Sequence, residues 1–243
     1  MSSFYTNIQL AGDTILYRGY EDGKPVSYRA NFSPTLYVLS RQREKLKTLD
    51  GRYVSPIQFQ TAREARDFIR QYENVEGFEV HGYERFVYQY MRREFPGEVD
   101  YNIKKMKIFA MDIEVQCENG FPNVEEAAEE MLSITIKDMV TKKYYCWAVR
   151  EFEPPEGVET NIFWTEHEML NHFIHWWAQN TPDILTGWNV NLYDVPYIAR
   201  RVNRVLGEKW MKSLSPWNRA NEREVYVQGR KNYAYDISGV NIL

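Results

Sequence analysis

Residues 4–39 alternate apolar and polar side chains, and short turns containing glycine or proline interrupt the alternation. This pattern predicts strands with one buried face. The predicted strands are residues 4–10, 14–20, 26–31 and 36–39. Residues 61–72 are predicted to form a helix, because their apolar side chains recur at helical spacing and Thr61 with Glu64 forms a capping box. We therefore expect a small N-terminal α+β domain over residues 1–103.

The pattern changes after residues 95–105, a stretch with proline, glycine and lysine that is typical of a linker. Residues 106–115 are mostly apolar, which predicts a strand buried on both faces. Further strands are predicted at residues 131–137, 144–149, 184–187, 225–227 and 233–237, and helices at residues 166–179 and 194–206. Strands mixed with helices favour an α/β domain with a central mixed sheet over residues 104–243, so the whole chain is α+β.

Composition limits the possible classes of protein. Hydrophobic residues make up 44% and aromatic residues 15% of the chain, which is enough for a packed core. The formal net charge of -4 argues against coating nucleic acid by bulk charge but permits a local basic groove. Cys117 and Cys146 stand far apart, so neither a zinc site nor a disulfide framework is indicated. Without a signal peptide or an apolar run of ~20 residues, we expect a soluble cytosolic protein with no membrane partner.

Asp112 and Glu114 are the first candidates for chemistry. Alternate residues of a strand project to the same face, so these carboxylates lie side by side in an otherwise apolar segment. Burying two like charges is costly unless a cation neutralises them, and Mg²⁺ or Mn²⁺ prefers such oxygen ligands. The alternative is an edge strand with solvated acids, against which the apolar residues 108–111 argue. From this pattern alone, both a metal site and a structural acid pair stay open.

Asp194 is the second candidate, because it begins a predicted helix a few residues after the strand that ends at Gly187. An aspartate at this place is commonly a helix N-cap, and the spacing alone favours that role. A residue at the start of a helix can also face the edge of a sheet, so the two roles are compatible.

Five segments carry a family resemblance when they are taken in order. They are FSPTLYV (32–38), FAMDIEV (109–115), GFP (120–122), PDILTGWN (182–189) and DVPY (194–197). Together they resemble the N-terminal domain and the first two exonuclease motifs of family B DNA polymerases of the T-even-type bacteriophage kind. The resemblance covers essentially the whole chain. Family members often have phenylalanine where this chain has Tyr193, and the aromatic ring is retained.

The resemblance implies an RNase H-like exonuclease domain of the DEDD type, in which four carboxylates hold two divalent ions, Mg²⁺ or Mn²⁺. Asp112, Glu114 and Asp194 match three of these carboxylates, as catalytic residues and metal ligands. Phe121, Asn189 and Tyr193 are the implied substrate-binding residues. Phe121 either stacks on a base of a frayed single strand or packs within its loop. Asn189 either orients a ligand or closes its turn, and Tyr193 is expected to keep the packing role of the aromatic ring.

The fourth carboxylate of the family belongs to a third motif, Tyr-x-x-x-Asp, which this chain lacks. Asp236, for example, has Asn232 at the required spacing. We therefore expect a chain truncated before the third motif, as an N-terminal fragment or split-gene half of a phage replicative DNA polymerase. At most one ion would be well held. The chain alone is expected to have little or no exonuclease activity and no polymerase activity.

The resemblance also implies partners. Single-stranded DNA and primer–template DNA are expected, in the cytoplasm of an infected bacterial host. A C-terminal polymerase half would join them if the gene is split, and a sliding clamp would bind only through that missing part. Binding of messenger RNA stays open.

Two other functions stay open. A non-catalytic module for single-stranded DNA or messenger RNA would use aromatic and basic side chains of the N-terminal strands, namely Tyr17, Arg18, Tyr20, Tyr28 and Arg29. The same residues are also typical of an ordinary solvated sheet face. A free-standing DEDD exonuclease is disfavoured by the absent third motif and by the polymerase-type N-terminal segment.

Overall fold

The computed structural model describes residues 3–82, 85–118, 120 and 122–243. Contacts between Cα atoms divide the chain into two compact units, Met1–Tyr101 and Asn102–Leu243, here called unit 1 and unit 2. Each unit has a hydrophobic cluster of its own.

Unit 1 combines strands with short helices. Its elements are β1 (Ser3–Ala11), β2 (Thr14–Glu21), β3 (Lys24–Asn31), β4 (Thr35–Leu39), β5 (Leu46–Lys47), β6 (Tyr53–Gln58), α1 (Ala62–Tyr72), β7 (Val80–His81) and α2 (Val87–Glu94). β1, β2 and β3 form an antiparallel sheet, and a second sheet has the order β5-β6-β4-β7. The four predicted strands and the helix are confirmed. At the start of α1, the Thr61 hydroxyl accepts a hydrogen bond from the backbone N–H of Glu64. β5, β6, β7 and α2 were not predicted.

The core of unit 1 contains two rings that the strand pattern had placed on an exposed face. Tyr17 is 1% exposed and Tyr20 is 4% exposed. Phe95, just after α2, stacks on Tyr17 with ring centres 6.3 Å apart, and Tyr28 stacks on the same ring at 4.6 Å. The expectation of exposure is therefore wrong for both rings, because Phe95 and Tyr28 cover Tyr17 on one face of the sheet and Phe4 stacks on Tyr20 at 4.9 Å on the other.

Unit 2 contains a mixed sheet and its packed helices. Its elements are β8 (Ile108–Val115), β9 (Met131–Asp138), β10 (Tyr144–Val149), β11 (Val158–Phe163), α3 (Glu166–Asn180), β12 (Ile184–Thr186), α4 (Asp194–Leu206), α5 (Glu208–Lys212), β13 (Ala220–Val227), β14 (Arg230–Ile237) and β15 (Asn241–Ile242). The sheet order is β11-β10-β9-β8-β12-β15, and β8 runs antiparallel to β9 but parallel to β12. This confirms the predicted central mixed sheet.

β8 lies inside the sheet, between β9 and β12, so its acids do not sit on an edge strand. Phe109, Met111 and Ile113 are buried in the same cluster as the apolar stripes of α3 and α4. Asp112 and Glu114 are exposed on the other face. The predicted burial of this strand on both faces is therefore wrong for its C-terminal half, because the helices pack against one face only there.

The remaining elements show where sequence patterns are informative. α3 and α4 are confirmed, and α3 begins with a capping box formed by Thr165 and Glu168. β13 and β14 pair along their whole length as a hairpin. Both strands are longer than predicted. In β13 the prediction missed residues 221–224, because they are polar and exposed. β11, α5 and β15 were not predicted. In the described part of the chain, no helix combines the length and apolar character needed to cross a membrane.

Candidate active site

Asp112 and Glu114 project from the open face of β8. Their direct partners on the neighbouring strand β9 are Thr135 and Ser133. Residues directly opposite each other in a sheet project to the same side, so hydroxyl side chains flank the two carboxylates. The regular pairing shifts between Glu114 and Val115. The two acids therefore stand at the end of a central strand, in contact with solvent.

Asp194 reaches the same strand from α4. Its carboxylate oxygen Oδ1 accepts the backbone N–H of Ile113 at 3.2 Å, and its side chain is buried, with 2% of the residue exposed. β12 pairs with β8 only as far as Thr186 opposite Ala110. Asp194 thus binds the edge of β8 beyond the point where β12 ends.

The cap interpretation of Asp194 is wrong. The N-cap residue of α4 is Tyr193, whose side chain makes no capping hydrogen bond, and Asp194 is the first residue of the helix. Its carboxylate binds the strand amide of Ile113 because the turn before α4 brings the start of the helix against β8. A long-range contact of this kind leaves no mark in local spacing.

Gly187 allows this close approach. A Cβ atom at this position would lie 2.4 Å from the carbonyl oxygen of Met111, which is far inside van der Waals contact. The chain leaving β12 can therefore pass over β8 only when the residue has no side chain. The turn that follows delivers Asp194 to the amide of Ile113.

The two carboxylates on β8 affect Asp194 electrostatically. Burial raises the pKa of Asp194 to about 6, and the charges of Asp112 and Glu114 act in the same direction. The N–H groups of Asp194 itself and of Ile113 oppose this effect. The phenol of Tyr193 also has a raised pKa, caused first by burial and then by Asp194 and Glu114. A negative field therefore converges on the end of β8, where a cation would be stabilised.

The donor set suits a hard divalent cation. Within the described residues, no group of three or more His, Cys, Asp and Glu side chains lies close enough to hold a metal ion jointly. Mg²⁺, however, commonly retains several water ligands and binds proteins through one or two carboxylates. Asp112 and Glu114 on one face of β8, with the field of Asp194 beside them, fit that mode. The residues thus fit Mg²⁺ or Mn²⁺ in ligand type and charge.

The implied substrate-binding residues have different outcomes. Asn189 has a left-handed backbone (φ 56°), and its carbonyl oxygen accepts the amides of Leu192 and Tyr193 at 3.0 and 2.9 Å. Its backbone therefore closes the turn before α4, as one of its two interpretations had it. The ring of Tyr193 packs near Tyr197, with centroids 5.9 Å apart. Phe121 lies outside the described residues.

Sequence reasoning missed one acid near this site. The hydroxyl of Tyr197 donates to the backbone oxygen of Glu129 at 2.8 Å and lies 3.4 Å from its carboxylate. The charge of Glu129 also contributes to the raised pKa of Tyr193. The available signal was the acidic run EEAAEE at residues 125–130, soon after the Asp-x-Glu strand.

Comparison with known proteins gives a consistent result. Residues 83–243 match the family described as "DNA polymerase family B, exonuclease domain". Exonuclease domains of that family are RNase H-like, which agrees with the mixed sheet and packed helices of unit 2. The predicted fold class is confirmed.

Individual relatives agree with the family match. The DNA-directed DNA polymerase of Enterobacteria phage T4 is 29% identical over 270 residues, covering 100% of this chain and 30% of the relative. The DNA-directed DNA polymerase of Escherichia phage RB69 is 25% identical over 272 residues, with the same coverage. The DNA polymerase catalytic subunit of human herpesvirus 8 type P (isolate GK18) is 29% identical over 103 residues, covering 40% of this chain and 10% of the relative. The chain thus spans about 30% of the length of the two phage relatives.

Proposed function

Because this chain belongs to the family B DNA polymerase exonuclease-domain family, we propose that unit 2 carries three of the carboxylates of a proofreading site that, in a complete polymerase, removes nucleotides from single-stranded 3′ ends of DNA. Asp112, Glu114 and Asp194 form its acidic centre. The observation that carries this proposal is the Asp194 carboxylate, buried against the edge of β8 beside the two acids on that strand.

Each carboxylate has a distinct task under this proposal. Asp112 and Glu114 face solvent and would bind Mg²⁺ or Mn²⁺ directly. Asp194 is held by the Ile113 amide and would add its negative charge from below the surface. A divalent ion held by these residues would supply positive charge that stabilises the negative charge developing on the scissile phosphodiester. Asn189 shapes the turn that presents Asp194, and Tyr193 packs beside it.

The assignment of the two domains belongs to the same proposal. Residues 1–103 would be the polymerase N-terminal domain and residues 104–243 the exonuclease domain. The partners inferred from the resemblance also stay proposals: primer–template DNA, a C-terminal polymerase half, a sliding clamp and messenger RNA. Of the side chains invoked for the alternative, a nucleic-acid module on the N-terminal strands, Tyr17 and Tyr20 are buried, whereas Tyr28 and Arg29 are exposed. The host cytoplasm remains the expected location.

Calorimetric titration with Mn²⁺ tests the proposed site. The test compares the wild-type chain with Asp112→Asn, and the control is Asp100→Asn, an exposed aspartate of unit 1. We expect Asp112→Asn to abolish or greatly weaken Mn²⁺ binding, because it removes one charge of the acidic centre while keeping the shape of the side chain. The control should bind like wild type. Equal Mn²⁺ affinity in all three proteins would contradict the proposal.

A degradation assay tests the reaction itself. A 3′-labelled single-stranded DNA is incubated with the chain and Mn²⁺, and products are compared with those of Asp112→Asn. The prediction of little or no degradation by this chain alone follows from the absent third motif. Any degradation that does occur should start at the 3′ end and be lost in Asp112→Asn. Degradation that survives this substitution would show that another site is responsible.

A further inference from the structure

Side chains of α4 bind the backbone of the segment between β8 and β9. This segment, residues 122–130, is here called the acidic loop. The donors on α4 are Tyr197 to Glu129 O (2.8 Å), Arg200 to Val124 O (2.8 Å), Arg201 to Ala127 O (3.1 Å) and Ala128 O (2.7 Å), and Arg204 to Glu126 O (3.5 Å). Because the acceptors are backbone carbonyls, these contacts from one face of the helix hold the backbone path of the loop and do not depend on the loop's side chains.

Arg201 is the least exposed of the three arginines that make these attachments. Its Nε and Nη2 atoms each lie 2.7 Å from a different carboxylate oxygen of Glu166, the first residue of α3. The two side chains are only 11% and 8% exposed. The same Glu166 carboxylate also accepts the backbone N–H of Met131 at 2.8 Å, where β9 begins. A buried ion pair is tolerated when its remaining hydrogen-bonding capacity is used, as it is here.

The acidic loop adopts a conformation that needs such support. Ala127 is fully buried and has a left-handed backbone, with φ at 42°. This region is unfavourable for residues with a side chain. Arg201 binds the carbonyl groups of Ala127 and of the following Ala128. The guanidinium therefore holds the loop at its least favourable residue.

The attachment has a direct geometric relation to the acidic centre. α4 carries Asp194 at its first residue and Arg201 about two turns later. The acidic loop continues into Met131, which pairs with Val115, the residue after Glu114. α4 is thus bound to the β8–β9 connection through several side chains, among them Arg201, and to β8 through Asp194. Arg201 and Asp194 therefore attach the same helix to the strand that carries the acids and to the loop that follows it.

We propose that Arg201, held by Glu166, is a positioning residue that fixes the acidic loop on α4 and thereby sets the distance of Asp194 from Asp112 and Glu114. Arg201 touches no reacting atom. The expected effect on cation binding rests on the proposed function. The expected effect on amide protection of the loop does not depend on that function.

The central variant is Arg201→Met, which keeps a long apolar stem without any donor. Arg201→Lys retains the charge for Glu166 but cannot serve both the carboxylate and two loop carbonyls with a planar fork. Arg204→Met is the matched control, because Arg204 is exposed and reaches the same loop through one long contact. Val202→Ala lies beside Arg201 on the same helix and weakens the core without touching the loop contacts.

Three readouts separate positioning from general stability. Unfolding followed by tryptophan fluorescence reports unit 2 alone, because all seven tryptophans lie in it. Amide exchange over residues 125–131 reports the loop, and calorimetry reports Mn²⁺ affinity. We expect Arg201→Met to lose amide protection of the loop and to bind Mn²⁺ about tenfold more weakly. Tenfold is the lower end of the loss in affinity that follows when a residue supporting metal ligands is replaced. Arg201→Lys should regain stability but not affinity. Arg204→Met and Val202→Ala should bind Mn²⁺ like wild type.

Wild-type loop protection and Mn²⁺ affinity in Arg201→Met would overturn the proposal, as would an equal loss of affinity in Val202→Ala at matched stability. If Arg201→Met does not fold, Arg201→Lys and Glu166→Gln give the same comparison. If Asp112→Asn also leaves Mn²⁺ affinity unchanged, the proposed function fails. In that case amide exchange still tests whether Arg201 fixes the acidic loop on α4. Protection retained in Arg201→Met contradicts this role, and protection lost at residues 125–131 alone supports it.

Discussion

Replacing Gly187 by alanine is expected to push β12 away from β8 and to displace the turn that carries Asp194. The new Cβ atom would lie 2.4 Å from the Met111 carbonyl oxygen and 3.3 Å from the Val190 Cβ atom. The Met111 oxygen belongs to the backbone of a central strand and cannot rotate away. Relief requires a shift of roughly 1 Å, since non-bonded heavy atoms pack best near 3.5 Å.

The magnitude follows from this clash. Overpacking of a close-packed interior typically costs about 1–3 kcal/mol, and because the obstacle is backbone we expect Gly187→Ala to cost about 3 kcal/mol. For a unit of this size, that corresponds to a decrease in Tm of about 6–12 °C. Tryptophan fluorescence during thermal or urea unfolding measures it in unit 2 alone. Mn²⁺ affinity should fall as well, because Asp194 moves with the turn.

Gly157→Ala is the control for this prediction. Gly157 has open space around its Cβ direction but a left-handed backbone (φ 82°), so alanine there adds conformational strain without a clash. We expect a loss of about 1 kcal/mol in the control and no change in Mn²⁺ affinity. A Gly187→Ala protein as stable as Gly157→Ala, or with wild-type Mn²⁺ affinity, would refute the reasoning about close approach.

Three further substitutions test separate parts of unit 2. Asp194→Asn should stabilise the metal-free protein at pH 7 by on the order of 2–3 kcal/mol. Burial raises the pKa of Asp194 to about 6 in the folded state, so at pH 7 the folded protein carries a destabilised carboxylate that asparagine removes. This gain should vanish as the pH falls from 6 to 4, since wild-type Asp194 then becomes protonated, and urea unfolding with a chelator present measures it. Thr165→Ala should cost about 1 kcal/mol by removing the capping box of α3; an unchanged urea midpoint would exclude that role. Tyr197→Phe should cost about 1 kcal/mol through the lost hydrogen bond to Glu129, and amide exchange of the acidic loop should rise with it.

The central elements of unit 2 could be predicted because burial and periodicity coincide in them. The stripe of α4 contains Val195, Ile198 and Val202, which are all buried in the structure. The apolar run of β8 likewise marks a central strand. β13 was recognised only in part, because its first half is exposed and polar and therefore has no apolar alternation to detect.

The geometry of the site was less accessible from sequence. Asp194 and Ile113 are 81 positions apart. Neither residue pattern nor spacing indicates that, beyond the end of β12, the carboxylate of Asp194 accepts an amide of β8 in place of a neighbouring strand. The same limit applies to Arg201 and Glu166, whose pairing joins two helices through long-range packing. Tyr17 shows a further limit: alternation identifies two faces of a strand but not whether another segment covers the second one.

Titration of the isotope-labelled chain with substoichiometric Mn²⁺, followed by amide NMR, tests most directly whether a cation binds at Asp112 and Glu114 of β8, beside Asp194 of α4. Paramagnetic broadening should appear first at residues 112–114 and at Asp194, and it should disappear in Asp112→Asn. Broadening that begins instead around the exposed histidines of α3, His167, His172 and His175, and spares Ile113 would contradict the account.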